Sequence, residues 1–127
     1  MAKYSNLPVF KACYDLLLYV MNWSVKVQRD MRYTIAEDLK KSLIGVEIDI
    51  YRANKSVGKE KLRHIREGRE RFVESMIYLR ILNDMHQISQ DQYAHTALLA
   101  GEVDKHLTNW EKSCEMEKSG EPSGRPE

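Results

Sequence analysis

The segment from Arg32 to Lys55 constrains the fold of this chain more than any other. Its apolar residues recur at steps of three and four, which is the spacing of one face of an α-helix. At about 1.5 Å per residue the helix would be roughly 36 Å long. The residues on this face are Ile35, Leu39, Leu43, Val46, Ile50, Ala53 and Val57, and Ile44, Ile48 and Tyr51 form a second strip beside them. So wide an apolar face needs cover on two sides, which the rest of the chain should supply.

The segment before it predicts a first helix from Pro8 to about Val27. Proline is favoured in the first helical turn, because the backbone N–H that it lacks has no partner there. The polar stretch from Gln28 to Arg32 predicts a short turn before the long second helix. Gly58 is expected to end that second helix as its C-terminal glycine.

A third helix is predicted from about Lys59 to the segment 86–88. Its apolar stripe is interrupted at Arg69, next to Gly68. The interruption indicates either a charged seam between helices or a thinly packed helix end.

The fourth helix is predicted to begin at a capping box formed by Ser89 and Gln92, whose side chains can each bond the other's backbone N–H. Its apolar stripe runs to Cys114. Four amphipathic helices with short connections predict an all-α fold, an antiparallel up-down-up-down four-helix bundle. Residues 1–115 would form this domain, and residues 116–127, where Ser, Gly and Pro accumulate, are expected to be a disordered C-terminal tail.

Cellular location is also constrained by the sequence. The N-terminus has no apolar run after a basic patch, and no apolar run reaches the roughly 18 residues of a membrane span. We therefore expect a cytoplasmic protein with no membrane partner. Cys13 and Cys114 lie at apolar helix positions, which favours packed, reduced thiols over a disulfide.

Charge is unevenly distributed, although the net charge is only +1. From Arg52 to Arg71 there are eight basic residues against three acidic ones, which leaves an excess of five positive charges. Such a segment is either a solvated helix face with internal ion pairs or a surface for phosphates. The predicted nucleic-acid or partner surface is Arg52, Lys55, Lys59, Arg63 and Arg66, and a second basic group is Lys26, Arg29 and Arg32.

Catalytic and metal-binding motifs are sparse. The sequence contains no Glu-x-x-His pair of the di-iron bundles, no glycine-rich phosphate loop and no cysteine in a nucleophile motif. We therefore expect no metal, no cofactor and no enzyme activity. One alternative stays open: Arg80 and His86 have the spacing of the arginine and histidine of the HEPN group of helical ribonucleases, where they act on an RNA phosphate.

Several segments carry a resemblance to a known family. They are LPVFKACYDLLLYV in helix one, RYTIAEDLKKSLIGVEIDIYRANK in helix two and HLTNWEKS in helix four, and the most specific residues are Tyr14-Asp15-Leu16-Leu17, Arg32-Tyr33, Tyr51-Arg52-Ala53-Asn54 and Trp110. From Leu7 to Ser113 the chain resembles the accessory variability determinant family of diversity-generating retroelements. That family is related to four-helix proteins encoded in intervening sequences of ribosomal RNA genes.

The resemblance implies a homopentameric barrel of bundles without enzyme activity. Such a protein binds the reverse transcriptase of its retroelement and binds RNA or DNA through a basic surface, in support of mutagenic cDNA synthesis. Candidates for contacts between subunits are Tyr19, Trp23, Ile44 and Ile48, with a place in the core of the bundle as the equal alternative for each. The relatives from ribosomal RNA genes leave a further alternative, a protein-only oligomerisation module whose charges merely solvate it.

Overall fold

The computed structural model describes residues 3–118, and these residues form helices and their connections, without a strand. A 3-10 helix at Tyr4–Asn6 precedes α1 (Pro8–Ser24), and the single turn α2 (Arg29–Arg32) leads into α3 (Ile35–Asn54). The two longest helices, α4 (Gly58–Asp84) and α5 (Gln90–Lys118), follow. The predicted all-α class with four main helices is confirmed. Within residues 3–118 no helix has an apolar stretch long enough to cross a membrane.

Each of the four long helices packs against two others. α3 lies against α1 and α4, and α5 lies against α4 and α1. Near the end of α1, Trp23 donates its Nε1–H to Thr96 Oγ1 near the start of α5, at 3.1 Å. Near the end of α5, Cys114 packs with Leu62 near the start of α4. α5 therefore runs opposite to both α1 and α4.

The core is built from the apolar stripes that the sequence predicts. In α3, Leu39, Leu43, Val46, Ile50 and Ala53 are all buried. Trp23 is also buried, at 2% exposure, so of its two alternatives, a subunit contact or the core, the core is the one found: its indole bonds Thr96. Cys13 and Cys114 are buried free thiols, as predicted.

The second apolar strip of α3 is not in the core. Ile44, Ile48 and Tyr51 are 39%, 44% and 42% exposed. Helical periodicity placed these residues in a strip beside the buried face. It could not show that the neighbouring helices α1 and α4 cover only that first face. The strip instead forms part of an open surface between α1 and α3.

The first connection differs from the predicted turn. α1 ends at Ser24, the turn contains the short helix α2, and α3 begins at Ile35 rather than at Arg32. Arg32 Nε donates a hydrogen bond to the backbone carbonyl of Val27 at 3.1 Å, which ties the end of α2 back to the preceding loop. This side-chain bond between residues five apart leaves no trace in hydrophobic periodicity.

The second connection also differs. Gly58 does not end the second long helix; it is the first residue of α4 and has a φ of +60°, while α3 ends at Asn54. Val57 is 77% exposed in the connection and does not belong to the α3 stripe. A glycine is favoured here because a left-handed φ costs other residues about 1–2 kcal/mol.

At the end of α4 a histidine takes the position that glycine usually occupies. His86 has a φ of 59°, and α4 ends two residues before it, at Asp84. Gln87 N–H donates to the Leu82 carbonyl at 2.9 Å, and His86 N–H donates to the Asn83 carbonyl at 3.0 Å. This pair of bonds is a Schellman motif.

The last helix begins as predicted and ends later than predicted. Gln92 N–H donates to Ser89 Oγ and Ser89 N–H donates to Gln92 Oε1, each at 3.0 Å, which confirms the capping box. α5 continues to Lys118, so residues 116–118 belong to the helix rather than to a tail. Residues 119–127 of the predicted tail lie outside the described part of the chain.

α3 and α4 share the most extensive helix contact, and small residues make it possible. Ser75 donates to Ser42 Oγ at 2.7 Å in the buried interface, and Ser42 donates to the Arg71 carbonyl at 3.0 Å. Gly45 leaves room for the Arg71 side chain to cross α3. Arg71 Nε then donates to Asp49 Oδ2 at 3.1 Å, and the Asp49 side chain is only 2% exposed.

We predict that Gly45→Ala lowers the free energy of unfolding by about 2–3 kcal/mol. The new Cβ would lie 2.3 Å from Arg71 Cδ, so the arginine would have to move and leave the buried Asp49 carboxylate unpaired. The measurement is urea denaturation at neutral pH. The matched control is Gly101→Ala, where a Cβ meets nothing within 4 Å and alanine should stabilise the helix by up to about 1 kcal/mol. Wild-type stability in Gly45→Ala would show that the ion pair does not depend on this glycine.

We predict that His86→Gly raises the free energy of unfolding by about 0.5–1 kcal/mol, because glycine adopts the left-handed conformation without steric cost. His86→Ala is the control: it keeps a Cβ and should leave stability close to that of the wild type. Both are read from denaturation midpoints. Equal stabilisation by alanine would assign the gain to loss of the imidazole rather than to backbone relief.

Candidate nucleic-acid interface

The connection between α3 and α4 gathers three of the predicted basic residues. Arg52 lies in the last turn of α3, Lys55 follows that helix, and Lys59 lies in the first turn of α4. All three are exposed. Lys55 Nζ lies 5.1 Å from the centre of the Tyr51 ring, a cation–π contact. We call these three residues the basic corner.

The basic corner has no acid to neutralise it. Across residues 3–118, none of its three cations makes an ion pair. They meet here because the connection from Lys55 to Val57 is short, so the end of one helix and the start of the next share one edge of the molecule. Exposed cations without an intramolecular partner are available to phosphate oxygens.

Two other residues of the predicted surface are already paired. Arg63 bonds Glu60 at 2.6 Å and Glu67 at 2.8 Å along α4. Arg66 bonds Glu111 at 2.8 Å and Glu115 at 2.5 Å on α5. The segment from Arg52 to Arg71 therefore combines the two alternatives that the sequence left open. Part of it forms ion pairs, and part remains a basic surface without an ion pair among residues 3–118.

The charged interruption of the α4 stripe forms a seam with α5. Arg69 Nη1 also donates to Glu111, whose side chain is only 13% exposed. The hydrogen bond from Arg66 lowers the pKa of Glu111 below its usual range, and the bond from Arg69 lowers it further, against the opposing effect of burial. Of the two readings of Arg69 and Gly68, the charged seam is the one found. Gly68 is buried, and a Cβ there would lie 3.2 Å from Asp49 Cβ.

The second basic group lies at the other end of α3. Lys26 and Arg29 are exposed, whereas Arg32 is half-buried, bonded to the Val27 carbonyl and placed 5.6 Å from the centre of the Tyr33 ring. This bond uses one of the five N–H donors of Arg32, so its place in the second basic group stays a prediction. Along the axis of α3 the two basic groups are separated by about 30 Å, so they are distinct surfaces.

The structure also brings together a group that the sequence search missed. Asp49 from α3 meets His64 and Glu67 from α4, with one ligand atom of each within 4.8 Å of the others. The search for Glu-x-x-His overlooked the reversed spacing His64-x-x-Glu67, and no sequence pattern links Asp49 to it. Arg71 occupies Asp49 Oδ2, so a cation would have to compete with the guanidinium that bridges α3 and α4.

The pair proposed for a ribonuclease lies at the far end of α4. The Arg80 side chain is 80% exposed and lies 3.7 Å from Asp84, while His86 is exposed in the Schellman motif. His86 therefore has a structural role, because its left-handed backbone conformation ends α4, and this role is independent of any catalytic one. The ribonuclease reading stays a prediction.

Comparison with known proteins adds no relative. No protein-family model, no curated protein and no solved structure matches the chain. The resemblance to the retroelement accessory family therefore stays a prediction that rests on the residues quoted above. Among these residues, Leu16 is buried, and Ala53 is fully buried beside the basic corner. Trp110 packs against the main core and against a smaller buried cluster that includes Leu62 and Cys114. Lys61 Nζ lies 5.8 Å from the centre of the Trp110 ring.

We predict that Glu111→Gln combined with Glu115→Gln strengthens RNA binding, because it releases the guanidinium groups of Arg66 and Arg69. The free energy of unfolding should fall through loss of charged hydrogen bonds between α4 and α5. The measurement is fluorescence anisotropy with a labelled RNA at two salt concentrations. Asp15→Asn with Asp38→Asn, two exposed acids that form no ion pair within residues 3–118, controls for the change in net charge. Equal gains in both variants would mean that only net charge matters.

Proposed function

We propose that this protein is a non-enzymatic accessory subunit of a diversity-generating retroelement. In this proposal it binds the reverse transcriptase and the template RNA or its cDNA, and it supports mutagenic cDNA synthesis. The observation that carries the proposal is the basic corner, where three exposed cations from adjoining helices have no acidic partner within residues 3–118. The resemblance of the sequence to the accessory family supplies the biological setting.

The chemistry of the basic corner favours contacts with a phosphate backbone over recognition of bases. Three cations with one nearby exposed ring, that of Tyr51, can neutralise phosphates but offer little surface for stacking. Such contacts depend on salt and are insensitive to sequence. A subunit with this surface can hold RNA while the reverse transcriptase supplies the chemistry.

Assembly of several copies would strengthen weak contacts. The proposal includes a homopentamer, in which the basic corner is repeated around the ring and a long RNA gains avidity. Exposed apolar side chains on two adjacent helices provide area for contacts between copies: Val73 and Ile77 on α4 are 59% and 55% exposed, and Leu98 on α5 is 68% exposed.

Light scattering coupled to size exclusion tests the assembly and the RNA binding together. The protein is run alone, with a structured RNA and with the reverse transcriptase of the proposed retroelement, at low and high salt. We expect an oligomer that retains RNA at low salt, releases it at high salt and forms a complex with the transcriptase. An oligomer indifferent to both partners would favour the protein-only oligomerisation module instead, and a monomer indifferent to both would overturn the proposal.

We predict that neutralising the basic corner with Arg52→Gln, Lys55→Gln and Lys59→Gln weakens RNA binding about tenfold or more at low salt. For a single-stranded RNA, the slope of log affinity against log salt should fall by about 2, since each phosphate contact contributes about 0.7. Helix content should be unchanged, because all three side chains are exposed and, in the described part of the chain, none of them makes an ion pair.

The matched control removes three charges elsewhere, with Lys40→Gln, Lys41→Gln and Lys105→Gln. Lys40 and Lys41 lie on α3 about 20 Å before Lys55 by helix rise. We expect the control to retain most of the affinity and the salt slope. If both triple variants weaken binding equally, RNA responds to overall charge and the corner has no special role.

A further inference from the structure

An aromatic pocket opens between the N-terminal 3-10 helix, α1 and α3. Its volume is about 560 Å³, which is within the range of small-molecule sites. Four rings line it: Tyr4, Phe10, Tyr14 and Tyr51. Tyr4 holds the wall together, because its ring makes edge-to-face contacts with Phe10 at 5.2 Å and Tyr51 at 5.1 Å. The exposed strip of Ile44 and Ile48 completes the pocket.

One carboxyl group faces this apolar pocket. Glu47 lines it and is only 8% exposed, and neither of its side-chain oxygens has a hydrogen-bond partner among the described residues. Buried carboxyls are normally paired, since the cost of removing them from water is otherwise not repaid. A leucine or methionine would suit this environment better.

The neighbours of Glu47 offer it little compensation. Cys13 of α1 lies beside it, but a thiol is a weak donor, and its contact lowers the pKa of Glu47 by less than burial raises it; the Cys13 sulfur also lies 3.9 Å from the Leu43 carbonyl oxygen. The other titratable groups that line the pocket are the hydroxyls of Tyr4, Tyr14 and Tyr51. Burial raises the pKa of Glu47 to about 8, and burial and the nearby Glu47 raise the pKa of Cys13. Both groups are therefore mainly neutral at pH 7.

We propose that this pocket binds a small organic cation, a protonated amine, amidine or guanidine carried on an apolar body about the size of one aromatic ring. The cation would pair with the Glu47 carboxylate, and the surrounding ring faces would stabilise its charge. The single carboxylate of Glu47 would neutralise one positive charge, and the aromatic rings would contact the apolar body of the ligand. The pocket adjoins the basic corner through Tyr51, which Lys55 contacts, but Arg52, Lys55 and Lys59 are not among the residues that line it.

Binding should release a proton near neutral pH. The protonated Glu47 loses its proton to buffer as the cation arrives, so the pair that forms is carboxylate and cation. Affinity should then rise about tenfold per pH unit below about pH 8 and level off above it, as long as the ligand itself stays protonated. Cys13 should not contribute to the rise, because burial and the nearby Glu47 raise the pKa of its thiol.

The probe is benzamidine, with benzamide as its neutral analogue of nearly the same shape. Binding to the full chain is followed by calorimetry and by two-dimensional NMR from about pH 6 to about pH 9. We expect benzamidine to bind at least tenfold more tightly than benzamide at the upper end of this range. Shifted amide signals should cluster at the 3-10 helix, the first half of α1 and the middle of α3.

Glu47→Gln is the main variant, and Glu37→Gln, the same change at a half-exposed position earlier on α3, is its control. Glu47→Gln should lose at least tenfold in benzamidine affinity and should lose the pH dependence, while benzamide binding and RNA retention stay unchanged. Glu37→Gln should behave as the wild type. If Glu47→Gln does not fold, the difference in affinity between benzamidine and benzamide on the wild-type chain still tests whether the pocket prefers a cation.

Three results would overturn the proposal: no benzamidine binding, equal binding of benzamidine and benzamide, or unchanged benzamidine binding in Glu47→Gln. Binding of Nα-acetyl-arginine amide without benzamidine would also overturn it, and would assign the pocket to an arginine side chain of a partner protein. Loss of RNA binding in the basic-corner variant with benzamidine binding intact would show that the two sites are separate.

Discussion

The close approach of α3 and α4 is the constraint on which the rest of the structure depends. Helices pack at small separation where small residues face each other, and here Ser42, Gly45, Gly68 and Ser75 provide that surface. The closeness lets Arg71 cross α3 and reach Asp49, which would otherwise be a buried charge without a partner. α1 and α5 then cover much of the remaining apolar surface of this pair, although Ile44 and Ile48 on α3 and Val73 and Ile77 on α4 stay exposed.

The same pairing decides where the positive charge of the molecule is available. Along α4, Arg63 is held by acids of its own helix, and Arg66 and Arg69 are held by Glu111 of α5. The excess charge of the segment is therefore largely neutralised where the helices run side by side. It persists at the connection, where α3 ends and no acid of residues 3–118 forms an ion pair with Arg52, Lys55 or Lys59. A near-neutral chain can in this way keep one basic surface.

The open side of α3 has a different character. Because α1 and α4 cover one strip of the helix, Ile44, Ile48 and Tyr51 remain at the surface and border the pocket that contains Glu47. A carboxyl in such a place is costly for folding, and it is the feature of this molecule that packing alone does not explain. The basic corner and the pocket are joined through Tyr51, whose ring contacts both Lys55 and Tyr4.

Local patterns in the sequence determined most of the fold. The α3 stripe, the Pro8 start of α1 and the capping box at Ser89 depend on residues within one or two helical turns, and periodicity and capping chemistry report such contacts directly. The candidate site was predicted in part for the same reason: the basic residues are adjacent in sequence. Only the tertiary structure decided which of them stay unpaired, because the partners of Arg66 lie more than forty residues away on α5. It also decided that Trp23 is in the core, that Ile44 is at the surface and that Asp49 meets His64. Each of these outcomes depends on which helices become neighbours, and the periodicity of a sequence does not specify that.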